Sequence, residues 1–386
     1  MCYNKKAGLS AERMTFMKHR YKSAAALLSL LLLLACCLQG CGKDSSAPVL
    51  TLGNVSISEN VYHYWASTYK GDFLYRYEDV ENTEDFWNKE LIDGMSAAEY
   101  FDEIILENVQ YTLVCMQLFE EYGLMISASE KESIQDLISD YLKEYAQGNR
   151  NLLNQALGEY GVNMELLEKI YIDDAKTTKV YEYLYGENGQ TPIDDAQMEG
   201  YYQENFVHLQ MIFINNKYRY QTDSNGKYIT DEKGQAVTEE LDADTKAQKD
   251  EAIRKVQEGI ENGVSFGELY ETYSELKAYE NGYYFSKGTT YNDQIYYDII
   301  QKAMDMELQE TALVEGEYGT CIIQKLELDQ GAWENKENSD FFDGFQDTVG
   351  DTVFREFLRE HFDEIEVDKD AIAPYSIGTV TPNYTF

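Results

Sequence analysis

No proline interrupts the chain between Phe86 and Gly186, and through that stretch apolar residues return at helical spacing. A proline inside a helix deletes a backbone hydrogen bond and collides with the preceding turn. A long proline-free run with 3.6-residue periodicity therefore predicts helices. Leu106, Val109, Leu113 and Met116 fall on one face, and Leu137, Tyr141 and Tyr145 on another. Gly161 ends one helix and Asn163 starts the next, which carries Leu166, Leu167, Ile170, Val180 and Leu184. Ahead of this region, "VLTLGNVSISENVYHYW" reads as two short strands turning at Gly53-Asn54, with Ser58 capping a helix.

Beyond Gly186 the pattern changes. "TPIDDAQMEGYYQEN" predicts a helix with Thr191 as cap, Pro192 at its first position and Asp194 in its first turn. It runs into a strand, Val207–Ile214. There Leu209, Met211 and Phe213 share one face, while His208, Gln210, Ile212 and Ile214 share the other. Apolar rows on both faces mean a strand covered on both sides or facing an apolar pocket. The turns "DSNG" and "DEKG" mark residues 217–240 as a polar hairpin insertion. Lys249–Asn262 predicts an amphipathic helix with Ile253, Val256 and Ile260 inward. "VSFGELYETYSE" predicts another, with Ser265 and Glu268 as a capping box and Phe266, Leu269, Tyr270 and Tyr273 facing the core. "GYYFSKG" and "YGTCIIQKLEL" read as strands around a helix near Tyr297–Met306. A last helix, Asp340–His361, leads to an irregular tail. The expected class is α+β: a helical lobe over 49–190, an antiparallel sheet flanked by helices over 191–330, and a C-terminal part, 331–386, packed on the helical lobe.

The start of the chain carries an address. A basic cluster, Lys18–Lys22, precedes "SAAALLSLLLLLACCLQGC", and the chain is uncharged from Ser23 to Gly42. This is the layout of a secretory signal, residues 1–40. "LQGC", Leu38–Cys41, resembles the lipobox of bacterial lipoproteins, in which the cysteine thiol receives a diacylglycerol before cleavage. The polar "GKDSSAP" that follows, a tether over 41–48, favours Cys41; "LLAC" makes Cys36 the alternative. An uncleaved transmembrane anchor is the plainer reading, because the uncharged run approaches the ~20 residues that span a bilayer. Either way the rest of the chain lies outside the cytoplasm. Losing residues 1–40 removes six basic residues and one acid, taking the net charge from −38 to −43. Such a charge repels nucleic acid and anionic lipid surfaces and attracts basic partners. Past Cys41 only Cys115 and Cys321 remain, without metal or CxxC spacing; they form either one bridge or two buried thiols. The 33 tyrosines suit amphipathic core packing or a surface that grips unfolded chain.

"GVSFG", Gly263–Gly267, matches GxSxG, but a nucleophile elbow needs a strand before its serine, and here a helix precedes. "YYQENFVHLQMIFI", "VSFGELYETYSE", "YYFSKG" and "EYGTCIIQKLEL", in this order, resemble the parvulin-type peptidyl-prolyl isomerase domain. With a lipobox in front and helical segments on both sides, residues 49–365 are similar to the PrsA and SurA class of extracytoplasmic foldases. The resemblance implies no cofactor and no metal, and partners that are unfolded or extended secreted polypeptides.

It also implies where a pocket belongs. The family's first strand carries a histidine at the position of Met211, and its last strand reads "YGYHII" where this chain has "YGTCII", which puts Cys321 at a second histidine. An aspartate or cysteine is usual just beyond "YSE", where Leu276 stands, and a methionine after "FSxG", near Thr290. Phe213, Phe285 and Tyr297 complete the implied pocket. Parvulins lower a barrier of roughly 18–20 kcal/mol by desolvating and twisting the prolyl amide inside a polar cluster. Met211, Leu276 and Cys321 supply apolar surface instead. The expectation is a degenerate site, serving as core or as a peptide groove. An active isomerase and a solute-binding lipoprotein of two α/β lobes are the alternatives.

The anchor has a direct test. Cys41→Ala should leave an unlipidated precursor and Cys36→Ala should process normally, as read by mass spectrometry of the membrane fraction. Lipid on Cys36 would reverse the assignment.

Overall fold

The computed structural model describes residues 46–386 apart from 93, 224–226, 231–235, 280, 288–293 and 318. The signal at 1–40, both candidate lipidation sites Cys36 and Cys41, and the first part of the tether lie outside the described residues. Among those described, no helix is long and apolar enough to cross a membrane. The chain forms two compact units, one of residues 46–193 with Gly350–Phe386, the other Asp194–Val349.

In the first unit β1 (Pro48–Leu52) and β2 (Val55–Ser58) form an antiparallel pair. They turn at Gly53, whose φ of 53° suits glycine. A two-residue strand, Glu366–Val367, joins the other edge of β1, with Leu50 opposite Val367. Two residues carry no readable period, so this strand is hidden in what the sequence presents as an irregular tail. Helix α1 (Glu59–Arg76) starts at Ser58, whose hydroxyl accepts the Val61 N–H. Reciprocal capping boxes, Ser96 with Glu99 and Ser127 with Glu130, open α2 (Ala97–Glu121) and α3 (Ala128–Ala146). After α4 (Arg150–Leu157), Gly161 turns at φ 79° and Asn163 caps α5 (Met164–Tyr185). Val109, Leu113, Met116, Tyr141, Leu167, Ile170 and Val180 are buried in one core, with Leu106, Leu137 and Tyr145 packed against it.

The second unit opens with α6 (Asp195–Asn205), whose cap differs from expectation. Asp194, not Thr191, caps it: Asp194 Oδ1 accepts the Gln197 N–H at 2.8 Å and Gln197 Oε1 accepts the Asp194 N–H at 3.1 Å. Thr191 instead closes α5, donating from its N–H and hydroxyl to the carbonyl of Leu184. Next come β3 (Phe206–Ile214) and the hairpin of β4 (Tyr218–Tyr220) and β5 (Thr238–Glu240). Helix α7 (Ala243–Glu261) begins ahead of Lys249 because Asp242 caps it through the Thr245 N–H. Then follow α8 (Phe266–Tyr273), β6 (Tyr283–Ser286), α9 (Gln294–Met304), β7 (Thr311–Glu315) and β8 (Thr320–Leu326).

The sheet order is β6-β3-β8-β7, every pairing antiparallel. The class is α+β. Antiparallel pairing also removes the repeated βαβ lobes of a solute-binding lipoprotein. Strand β7 was unexpected, although "TALVEGEYGTCII" is a hairpin in hindsight. The last helix, α10 (Phe345–Arg359), starts after residue 340, because 336–341 form a 3-10 turn and Gly344 breaks the chain at φ 68°. Residues 331–349 belong to the sheet unit, not to the C-terminal part as expected. Trp333 and Phe342 meet Tyr202 edge-on, while Phe342 stacks on Phe206 and Phe345 meets it edge-on.

Packing makes a contrast that unfolding can measure. Leu209 on β3 is fully buried, whereas Leu313 on β7 is 37% exposed. Leu209→Ala should cost about 2–5 kcal/mol in urea unfolding, and Leu313→Ala about 0.5 kcal/mol.

Candidate functional site

The site is built on β3 and β8. Their register sets Phe213 opposite Cys321 and Met211 opposite Ile323, and β6 adds Leu209 opposite Tyr283 and Val207 opposite Phe285. Directly opposed residues share a face, so these side chains form one row. They meet in a buried cluster of Val207, Leu209, Met211, Tyr283, Phe285, Cys321 and Ile323, with Phe213 partly buried against it. Helix α9 covers that face through Ile299, Ile300 and Ala303. The opposite face buries Ile212, Ile214 and Ile322 against Ile253 and Val256 of α7 and Leu269 and Tyr270 of α8, with Tyr273 at the margin.

His208 stands on that opposite face, away from Met211. Its ring stacks on Tyr284 at 4.2 Å, and its two nitrogens lie 2.8 Å from the carbonyl oxygens of Glu327 and Asn281. Gly282, at φ 100°, permits this approach: a Cβ there would fall 2.8 Å from His208 Nε2. The Tyr284 hydroxyl donates to Asp329 Oδ2 at 2.7 Å. His208 is held as structure, not offered to the Met211 face.

The remaining sequence-picked positions divide. Leu276 is 41% exposed and Tyr297 48% exposed, so neither joins the buried row, and Thr290 lies outside the described residues. Leu276 turns out because the Ser274 hydroxyl accepts the Phe213 N–H and donates to the Leu276 carbonyl, folding the loop across the end of β3. Tyr297 sits on the solvent side of α9, two residues before Ile299. Tyr283 was missed. It is 7% exposed, its hydroxyl is buried with no hydrogen-bond partner among the described residues, and its ring meets Tyr279 edge-on at 5.0 Å. The alternation in "GYYFS" carried the signal, since it places Tyr283 and Phe285 on one face. Ser265 caps α8 by accepting the Glu268 N–H, with α7 rather than a strand before it, so its hydroxyl is a cap and no nucleophile.

Burial governs the electrostatics. It pushes the Cys321 thiol up to about 12 and the Tyr283 phenol up to about 12, so both stay neutral over the physiological range. Cys115 in the helical unit is likewise raised to about 12, and both thiols are free and buried. The face thus offers apolar surface, one neutral thiol and one phenol. Among the described residues no group of His, Cys, Asp and Glu could hold a metal ion.

No family model matches the chain, and no curated protein matches it. Solved structures do. PrsA from Bacillus subtilis is 16% identical, over 75% of this chain and 98% of that one, with a TM-score of 0.22. The peptidylprolyl isomerase PrsA from Bacillus cereus is 15% identical, over 75% and 97%, with a TM-score of 0.28. A SurA-like chaperone from Campylobacter jejuni is 12% identical, over 84% and 100%, with a TM-score of 0.23. The chain is similar to PrsA and SurA-like foldases. With TM-scores this low the likeness assigns no role to any residue of this chain.

The thiols give a pH test. Between the ordinary thiol value of 9.0 and about 12, the unfolded chain loses protons that the folded chain keeps. Stability should therefore be intact below pH 9 and fall as pH rises above it. Peptide mapping after iodoacetamide at pH 8 should find Cys115 and Cys321 unlabelled in the native protein and labelled in urea.

Proposed function

We propose that this chain is an extracytoplasmic foldase of the chaperone kind, anchored to the membrane through Cys41, whose parvulin-like unit is catalytically degenerate. The observation that carries the reading is the pairing of β3 with β8, which sets Met211 and Cys321 in one apolar row. Where two histidines would give hydrogen bonds to a twisting amide, a thioether and a neutral thiol give few. Transition-state stabilisation needs interactions stronger in the twisted than in the planar state, and apolar contacts barely distinguish the two. Desolvation of the amide remains available to such a surface. It also suits holding an apolar segment.

The remaining support comes from the sequence. A basic cluster followed by an uncharged run ending in "LQGC" is an export address, and the helical unit carries many of the 33 tyrosines. Tyrosine suits transient capture of unfolded chain, combining a large apolar ring with a polar tip. Unfolded secreted polypeptides are the partners this reading implies, and basic segments would be drawn by the net charge of −43 that remains once residues 1–40 are lost.

Two assays on one preparation test it. The chain should speed prolyl exchange in a test peptide by less than about twofold over its uncatalysed tens of seconds, while delaying aggregation of an unfolded protein. An efficiency typical of active parvulins, abolished by Met211→Ala, would overturn the degenerate site.

A further inference from the structure

The segment Ile377–Phe386 of the helical unit lies across α1 with no helix or strand of its own. It is held by groups that address its main chain. Lys70, 3% exposed, donates from Nζ to the carbonyls of Gly378 at 3.2 Å and Val380 at 2.9 Å. Asp102 Oδ1 accepts the Ile377 N–H at 2.7 Å. The Ser67 carbonyl accepts the Asn383 N–H at 2.8 Å, and Asn383 Nδ2 donates to Thr68 Oγ1 at 3.1 Å. Gly71 completes the floor, since a Cβ there would lie 2.0 Å from the Asn383 carbonyl oxygen. Every third residue, Ile377, Val380 and Asn383, is buried. The Phe386 ring then enters an aromatic corner, 5.3 Å from Tyr145, 5.5 Å from Tyr141 and 6.2 Å from Tyr160. Beside Ser376 a cleft of about 180 Å³, lined by Tyr62, Asp102, Leu106 and Tyr375, extends the same trough outward.

We propose that this trough is a binding site for an extended segment of unfolded polypeptide bearing an aromatic side chain, and that residues 377–386 occupy it as a built-in competitor. The inference deepens the chaperone reading and rests on it. Four of the five polar contacts above reach the main chain, which every polypeptide offers alike, so most of the recognition does not depend on this segment's own sequence. Side-chain selection comes from the corner of Tyr141, Tyr145 and Tyr160. A buried lysine reading carbonyls and a half-buried aspartate reading an amide fix chain direction as well. Tethering gives the internal segment an effective concentration in the millimolar range, so a client must outcompete it.

The experiment uses the full chain and a fluorescein-labelled peptide with the sequence of residues 376–386. The intact protein should bind the peptide weakly by anisotropy, because its own copy fills the trough. Asn383→Ala, losing the bond to Thr68, should bind it about tenfold tighter. Phe386→Ala, at a ring that is only partly buried, should do the same and guards against a misfolded first variant; circular dichroism checks both. A reduced, unfolded protein should displace the bound peptide, and the same peptide with alanine in place of its phenylalanine should bind more weakly. Equal affinity in the intact chain and both variants overturns the proposal, as does peptide capture that an unfolded protein cannot reverse. Aggregation delay measured alongside separates the two readings. If delay persists while the peptide never binds, the trough falls and the chaperone stands. If the peptide binds and is displaced without any delay, the trough stands and the chaperone falls.

Discussion

The antiparallel register of Phe206–Ile214 against Thr320–Leu326 is the constraint on which the reading of the sheet unit turns. Side chains alternate along a strand, so a slip of one residue would exchange the two faces completely. Met211 would then lie under α7 and α8, and His208 would stand among the residues that now include Cys321. What prevents the slip is the match of apolar rows on both faces. Ile212, Ile214 and Ile322 bury against one pair of helices, while Leu209, Met211 and Ile323 bury against α9. His208 adds a third lock, since its two nitrogens reach carbonyls at both neighbouring strand ends.

Much of this was legible because it depends on local chemistry. The strand's two rows, the caps at Ser58, Asn163 and Ser265, and the turns at Gly53 and Gly161 each follow from a residue type with one favoured geometry. The misses share a different cause. Thr191 and Asp194 both cap well, and only the tertiary course of the chain decides that one closes α5 while the other opens α6. Leu276 was placed in the pocket by resemblance, but the Ser274 hydroxyl bends the loop and turns it out. Strands as short as Glu366–Val367 contain no period to read. Residues 331–349 followed their aromatic rings, and stacking partners distant in sequence leave no trace in a window of a dozen residues.

The Met211 face shows how a sheet can carry soft, polarizable side chains in its core without disturbing a fold. Methionine and cysteine occupy positions inside the sheet at no cost to backbone geometry, and their burial is favourable where a histidine pair would need partners. Leu209, Ile323 and Ile299 are fully buried around them. The resulting core is almost wholly apolar. The Tyr283 hydroxyl, buried without a partner among the described residues, is the one polar atom against which this packing is imperfect.

In both units a face that could take a foreign chain is already covered by the protein itself. Helix α9 lies over the Met211 row, and residues 377–386 lie over Ser67, Thr68 and Gly71 of α1. A client at either place binds only to the fraction of molecules in which the cover has moved, so its apparent affinity falls by that fraction. The two covers differ in how readily they move. Helix α9 contributes Ile299, Ile300 and Ala303 to a continuous core, and lifting it would expose that core to water. The segment 377–386 has no ladder or helix to break, but Ile377 and Val380 are buried in the core of their own unit, so a replacement chain must fill those two positions as well as remake the main-chain bonds. Exchange at the trough therefore has to replace two core side chains, Ile377 and Val380, where lifting α9 uncovers three and separates a helix from its sheet.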